Sequence, residues 1–208
     1  MRWIATILLL PALCRAGDVA PVALPAPQKT GGMNLFQALN QRKSTREFDT
    51  RKFTLETLSN LLWSAWGVNR ADGRRTAPSA SNRQEIDIYV AAADGTYLYE
   101  ARQHRLQVIT TDDVRAATGT QDFVKQAAVD LVFVADLAKM GNGTAESKAM
   151  ISGADSGFIS QNVYLYCASE GLATVVRASL DRAALAKALH LRADQQITLS
   201  QSVGWPKK

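Results

Sequence analysis

The stretch Val129-Asp130-Leu131-Val132-Phe133-Val134-Ala135 constrains the fold of this chain more than any other. It is a nearly continuous apolar run, which predicts a buried central strand. A long helix is expected to follow, from about residue 145 to 170, with Gly171 placed to end it in the left-handed conformation that glycine tolerates. Further strands are expected around these two elements. Ile86, Ile88 and Val90 alternate with Asp87 and Tyr89, Asp94-Gly95 marks a hairpin turn, and residues 96–99 return from it. Residues 105–109, 172–177 and 197–203 complete the strand set. Short helices are predicted over 33–42, with Leu35, Phe36 and Leu39 on one face, and from an N-cap at Thr54 to Trp66, stopped by Gly67. Others are expected over 112–118, over 121–128, and over 181–189 with Asp181 as N-cap. Residues 48–53 read as a connector and 68–84 as a long polar loop, a kind often functional in compact domains. Helices and strands mix without strict alternation, so the expected class is α+β, with helices packed on one central sheet.

The length of 208 residues suits one domain, and 47% hydrophobic with 21% charged residues places it among ordinary globular chains. The net charge of +5 is not gathered into a basic run, which argues against a nucleic-acid partner. Residues 1–16 read as a secretory signal: Arg2 is the positive start, residues 4–13 are apolar, and Cys14-Arg15-Ala16 resembles a cleavage site. The stretch is too short to cross a bilayer of about 30 Å, so no membrane span is expected in the mature chain. The expected localisation is export, into a bacterial periplasm. Residues 17–32, with Pro21, Pro25, Pro27 and Gly31-Gly32, read as a linker, and 33–208 as the folded domain. Loss of Cys14 with the signal leaves Cys167 as a lone thiol, so stability must come from the core and from a partner subunit.

Several chemistries are excluded by pattern. His104 and His190 have no second ligand at zinc spacing, and no Gly-x-Ser-x-Gly elbow, Walker loop or Gly-x-Gly-x-x-Gly occurs. A chain poor in catalytic side chains suits a cofactor that carries its own reactivity. The first positive signal is Arg42-Lys43-Ser44-Thr45-Arg46, where two guanidiniums, an ammonium and two hydroxyls crowd together as phosphate donors. A solvated helix end, with cations at the C-terminal dipole, is the alternative. The second is Pro78-Ser79-Ala80-Ser81-Asn82-Arg83-Gln84, where small residues permit close backbone approach and Asn82 can both donate and accept; a plain turn is the alternative. The third is the first half of the long helix, crowded with Gly153, Ala154, Ser156, Gly157 and Ser160 and followed by Phe158, Ile159, Val163, Tyr164 and Tyr166 as bulk.

In order along the chain, these features resemble the nitroreductase superfamily of FMN flavoproteins, over roughly residues 34–206. Residues 42–46 resemble its Arg-Arg-Ser-x-Arg phosphate motif, and residues 78–84 its Pro-Ser-x-x-Asn-x-Gln flavin loop. Residues 170–174 resemble its Gly-Leu-Gly-Thr turn, and Val203-Gly204-Trp205-Pro206 its terminal Val-Gly-Tyr-Pro. Residues 61–70 and 94–99 are similar to the azoline-oxidising, SagB-type dehydrogenase branch, although Ser81-Asn82 stands where that branch tends to have glycine. The resemblance implies a mostly antiparallel central sheet flanked by helices, a long central helix at a homodimer interface, and one FMN per site. Arg42, Lys43, Ser44, Arg46 and Lys207 would hold the phosphate. Pro78, Ser79, Asn82 and Gln84 would line the ring, Asn82 on its pyrimidine edge, and the strand at Val176 and Arg177 would bring backbone groups to N5. No metal and no catalytic side chain is assigned; Trp66 and Tyr97 are candidates to touch a small-molecule or peptide substrate. Export leaves the electron donor open, since an NAD(P)H pool is not expected outside the cytoplasm. A flavin-binding module without turnover is the alternative function.

Overall fold

The apolar run becomes β6 (Val129–Asp136), and every one of its residues is buried in the computed structural model, which describes residues 20–208. The expected signal segment lies outside the described residues. The other strands are β1 (Val22–Ala23), β2 (Phe48–Asp49), β3 (Ile86–Ala92), β4 (Gly95–Glu100), β5 (Arg105–Thr110), β7 (Ala173–Arg177) and β8 (Gln195–Pro206). The helices are α1 (Leu35–Gln41), α2 (Leu55–Trp66), α3 (Ala145–Glu170) and α4 (Arg182–Ala188). The strands form one sheet in the order β1-β5-β4-β3-β6-β8-β2, with β7 paired to β8. Every pairing is antiparallel. The α+β class and the long helix are therefore as expected.

A half-exposed antiparallel strand should alternate apolar and polar residues, but β6 does not, because helices cover both of its faces. Val129, Leu131, Phe133 and Ala135 pack with Leu61, Leu62 and Trp66 of α2 and with Ile159 and Val163 of α3. Val132 and Val134 point the other way, onto Leu185 and Leu189 at α4. Asp130 shares that second face. Its carboxylate meets Arg177 on β7 at 2.9 Å and accepts a short hydrogen bond from the Ser202 hydroxyl on β8. Arg177 also donates to Ser202 Oγ at 2.8 Å and to the Thr118 carbonyl at 2.8 Å. Asp130 is fully buried and Arg177 nearly so, so burial pushes the carboxyl up to about 7, against the pull of the guanidinium and the Ser202 hydroxyl.

Local chemistry sets the helix limits. Thr144 caps α3 by accepting from Ser147 N–H, and Gly171 ends it at φ 65. Thr54 caps α2 and Asp181 caps α4 in the same way. Gly67 ends α2 for a different reason: its φ is ordinary, but a Cβ there would lie 2.3 Å from the Trp63 ring. The buried face of α3 carries Ser152, Ser156 and Ser160, with Ser156 Oγ 2.7 Å from Thr198 Oγ1. Its outer face carries Gly153, Ala154 and Gly157 between exposed Met150 and Phe158.

Four expectations need correction. Residues 112–118 and 121–128 form only single 3-10 turns, Arg115–Thr118 and Val124–Gln126. The β3–β4 turn is Ala93-Asp94, one residue earlier than expected, because Gly95 already pairs with Ala92. Residues 48–49, expected within a connector, form β2 against the end of β8, while the apolar face of α1 lies outside the core, with Ala38 buried and Leu35, Phe36 and Leu39 exposed. The stretch read as a linker is packed. Val22 pairs with Leu106, Leu24 is buried, and Met33 N–H donates to Ser169 Oγ. His104 fastens this segment. Ser59 Oγ donates to the Pro25 carbonyl at 2.6 Å and also lies 2.7 Å from His104 Nε2, while Tyr99 OH lies 2.9 Å from Nδ1. With the Ser59 proton committed to Pro25, Nε2 carries the proton and donates to Ser59 Oγ, and in the neutral ring Nδ1 accepts from Tyr99. Burial lowers the His104 pKa and favours the same form.

The Asp130–Arg177 pair yields a prediction. Arg177→Leu alone should destabilise the protein by about 3–5 kcal/mol, because it leaves a buried carboxyl unpaired. Asp130→Leu combined with Arg177→Leu should recover much of that loss. Urea unfolding of both variants against the parent checks the pattern.

Candidate flavin site

The basic segment 42–46 leaves α1 in extended form and crosses to the free edge of β7. Since β7 pairs only with β8, its other edge offers the backbone groups of alternate residues. Thr45 N–H donates to the Thr174 carbonyl at 2.9 Å on that edge, and Val176 N–H donates to the Tyr164 hydroxyl of α3 at 3.0 Å. The same hydroxyl is 2.8 Å from Ser44 Oγ, and the Arg42 guanidinium lies 5.4 Å from the centre of the Tyr164 ring. One tyrosine thus joins helix, strand and basic segment. The sequence offered Tyr164 only as helix bulk; its polar tip, which a buried tyrosine must satisfy, was the available signal.

The chain's end also comes to this place. Asp49 pairs with Trp205 and Phe48 with Pro206, and Lys207 N–H donates to the Glu47 carbonyl at 3.2 Å. Lys43 and Lys207 line, with Thr45, Tyr164 and residues 171–174, a cleft of about 340 Å³. Among the described residues, Arg42, Lys43, Arg46 and Lys207 enter no ion pair. Lys43 and Lys207 in the cleft, with Arg42 and the Ser44 hydroxyl on Tyr164 at its wall, are donors of the kind a phosphate dianion takes; no contact brings Arg46 to them.

Two expected residues hold the site rather than face a ligand. The Arg177 side chain is committed to Asp130, and the Val176 N–H to Tyr164. By strand alternation the groups left on the free edge are the Val176 carbonyl and the Ala178 N–H. Beneath them Cys167 is buried, and burial pushes its thiol up, so it remains protonated and inert.

The second motif, residues 78–84, does not touch the first within the protomer. It packs at Asp155 of α3, where Ala80 N–H donates to the Asp155 carboxylate at 3.0 Å. Asp155 and Tyr164 are nine residues apart, about 13.5 Å along the helix. Pro78 is exposed, and Ser79 Oγ is used internally, accepting from Gln84 N–H at 2.8 Å. Gln84 spends its side chain on the loop as well: it accepts from Arg75 at 2.9 Å and donates to the Gly73 carbonyl and to Asn82 Oδ1. That leaves the exposed Asn82 amide N–H₂ free, together with the Ser81 hydroxyl and the Arg83 guanidinium, among the loop's side-chain donors. Ser81, Asn82 and Gln84 all adopt left-handed backbone, at φ 54, 53 and 51. Strain of that kind persists where surrounding contacts enforce it, and it clusters at ligand sites. Trp66 is a core residue, its ring nitrogen bonded to the Ile86 carbonyl at 2.8 Å, while Tyr97 lines a separate, mostly apolar cavity with Asp94 and Leu55.

A single antiparallel sheet with a long helix, a basic turn on one flank and a strained polar loop on the other defines a class of α+β cofactor-binding enzymes. The nitroreductase family profile matches residues 39–205, and the chain belongs to that family of oxidoreductases. A Methanocaldococcus jannaschii protein named as a nitroreductase is 30% identical over 169 residues, covering 76% of this chain and 84% of its own. A Ralstonia eutropha protein of known structure, also named as a nitroreductase, is 42% identical with a TM-score of 0.87, covering 99% of this chain and 97% of its own. A Staphylococcus epidermidis structure named as an NAD(P)H:FMN oxidoreductase shares the fold at 19% identity and a TM-score of 0.66, covering 88% and 92%.

The Tyr164 linkage can be tested directly. Tyr164→Phe removes one hydroxyl and leaves the Val176 N–H without a partner, which should cost about 1–3 kcal/mol. Denaturant unfolding should register the loss, and the Val176 amide should exchange with solvent faster than in the parent.

Proposed function

We propose that this chain is an FMN-dependent oxidoreductase that works as a homodimer, with substrate a small molecule or peptide. The observation that carries the reading is the set of polar and cationic groups beside the free edge of β7: Lys43 and Lys207 line its cleft, Arg42 and Ser44 lie on Tyr164, and among the described residues none of these cations enters an ion pair. Arg42, Arg46 and Ser44 bind the ribityl phosphate, with Lys43 and Lys207 adding positive field. The Asn82 amide binds the pyrimidine edge of the ring, and the backbone edge beyond Val176 faces N5. When bound, FMN supplies hydride chemistry that none of the chain's side chains provides. The protein's own contribution is orientation and exclusion of water around the reacting centre.

The exposed stripe on α3 supports the dimer. Met150, Gly153, Ala154, Gly157 and Phe158 form a flat, apolar outer face, and Leu35 and Phe36 of α1 are exposed as well. A contiguous apolar surface of that kind marks an interaction site. Nitroreductases are commonly dimeric, and a second copy over this stripe would cover the flanks that carry both motifs. The match of residues 61–70 and 94–99 favours the SagB-type dehydrogenase branch within the family. Residues 1–16 favour export, in which case the donor is something other than a free nicotinamide pool.

Purified protein should be yellow and bleach anaerobically with a suitable donor; a yellow protein that no donor reduces would mark a binding module, and one that takes up no added FMN would refute the reading. Arg42→Ala should weaken FMN binding by about 10- to 100-fold, the worth of a charge-assisted bond, read by fluorescence titration. Phe158→Asp should turn a dimer into a monomer in analytical ultracentrifugation with little change in secondary structure.

A further inference from the structure

Two carboxyl groups lie buried together beneath the strained loop. Glu85, at the foot of β3, is fully buried, and Asp155 of α3 is 2% exposed. Both hold the start of the loop, at consecutive residues: Ser79 Oγ donates to Glu85 Oε2 at 3.2 Å, and Ala80 N–H donates to Asp155 Oδ2 at 3.0 Å. The two carboxyls are within hydrogen-bonding reach of each other, yet Glu85 Oε1 has no donor among the described residues. Among the described residues, neither group is in an ion pair. Along the neighbouring ends of β3 and β6, Lys139 is held by Asp87 and Asp136, and Arg192 by Asp136 and Asp194. Arg83, in the loop itself, enters no ion pair either. The other polar groups on the buried face of α3, Ser152 and Ser156, bond to Met140 and Thr198.

Two carboxylates facing each other in a buried site without a cation cannot both ionise cheaply; one keeps its proton and donates to the other. We propose that Glu85 keeps its proton and donates it to Asp155, and that the two act as a positioning pair that clamps the Ser79–Gln84 loop in its strained form. The proton supplies the donor that the orphaned pair otherwise lacks, and the clamp supplies part of the force that three left-handed residues require. Burial, with Asp155 opposite, raises the Glu85 pKa above its ordinary value. A raised folded pKa makes the neutral form the stabilising one. The clamp is complete at low pH and is lost as pH rises through the folded value. Its link to turnover rests on the reading of this loop as part of the flavin site, whereas the clamp itself does not.

The test uses the purified full chain, with and without added FMN. Glu85→Gln keeps a donor toward Asp155 at every pH, and Asp155→Asn does the same from the other side. In the parent, infrared spectroscopy at neutral pH should detect a protonated-carboxyl band, over and above the one Asp130 gives in all three proteins, that both variants lack. Corrected for intrinsic base catalysis, protection of the Ala80 amide should fall about tenfold in the parent as pH rises, and stay level in Glu85→Gln. An ionised pair at neutral pH, or equal pH dependence in parent and Glu85→Gln, would overturn the proposal. If FMN never binds but the carboxyl signal and the protection profile behave as stated, the clamp stands and the flavin reading fails.

Discussion

Asp130 is the fully buried carboxyl inside a strand that helices cover on both faces, and its pairing with Arg177 decides where β7 can sit. The pair ties β6 to β7 across β8, with Ser202 of β8 closing the contact. Once β7 is fixed, its unpaired edge faces α3, and the basic segment can hang from it through Thr45 and Tyr164. The basic residues of that segment are therefore surface groups on a mounting that is buried and charged. A pair of this kind adds little net stability over an apolar replacement, but it is costly to break on one side. That asymmetry makes β7 a rigid reference for everything attached to it.

Legibility in the sequence followed the range of the interaction. The limits of α3 were readable because Thr144 and Gly171 act within a turn of themselves, and the caps at Thr54 and Asp181 for the same reason. The run at 129–135 was readable because burial on both faces removes polar residues from a strand. The residues at 20–32 were not, because they pack through backbone bonds to β5 and α3 that leave no side-chain period. Residues 112–128 carry helical composition, but the backbone is needed elsewhere: Thr118 gives its carbonyl to Arg177, and Thr120 its N–H to Ser179.

The site was legible as residue types and less so as roles. Lys43 and Lys207 come to one cleft through the pairing of β2 with the end of β8, which no local signal announces. Arg177 and Gln84 fit the family pattern by position, yet their side chains are spent inside the protein, on Asp130 and on the loop. Glu85 and Asp155 passed unnoticed because their meaning lies in mutual proximity, seventy residues apart. Asp130 could have been found: a carboxylate inside a buried strand needs a partner, and the basic residue closing the next strand was available.

The pairing of β1 with β5 bears on how this protein is handled. Val22 and Ala23 occupy the outer edge of the sheet at Arg105 and Leu106, and Leu24 continues the contact through the His104 carbonyl. A chain trimmed to begin at residue 33, where the composition suggests the domain starts, would leave those backbone groups open. It would also bare the apolar surface under Leu24. Bare strand edges template pairing with other chains. The short N-terminal segment thus works as a selvedge on the sheet, keeping its weave from running into that of a neighbouring molecule.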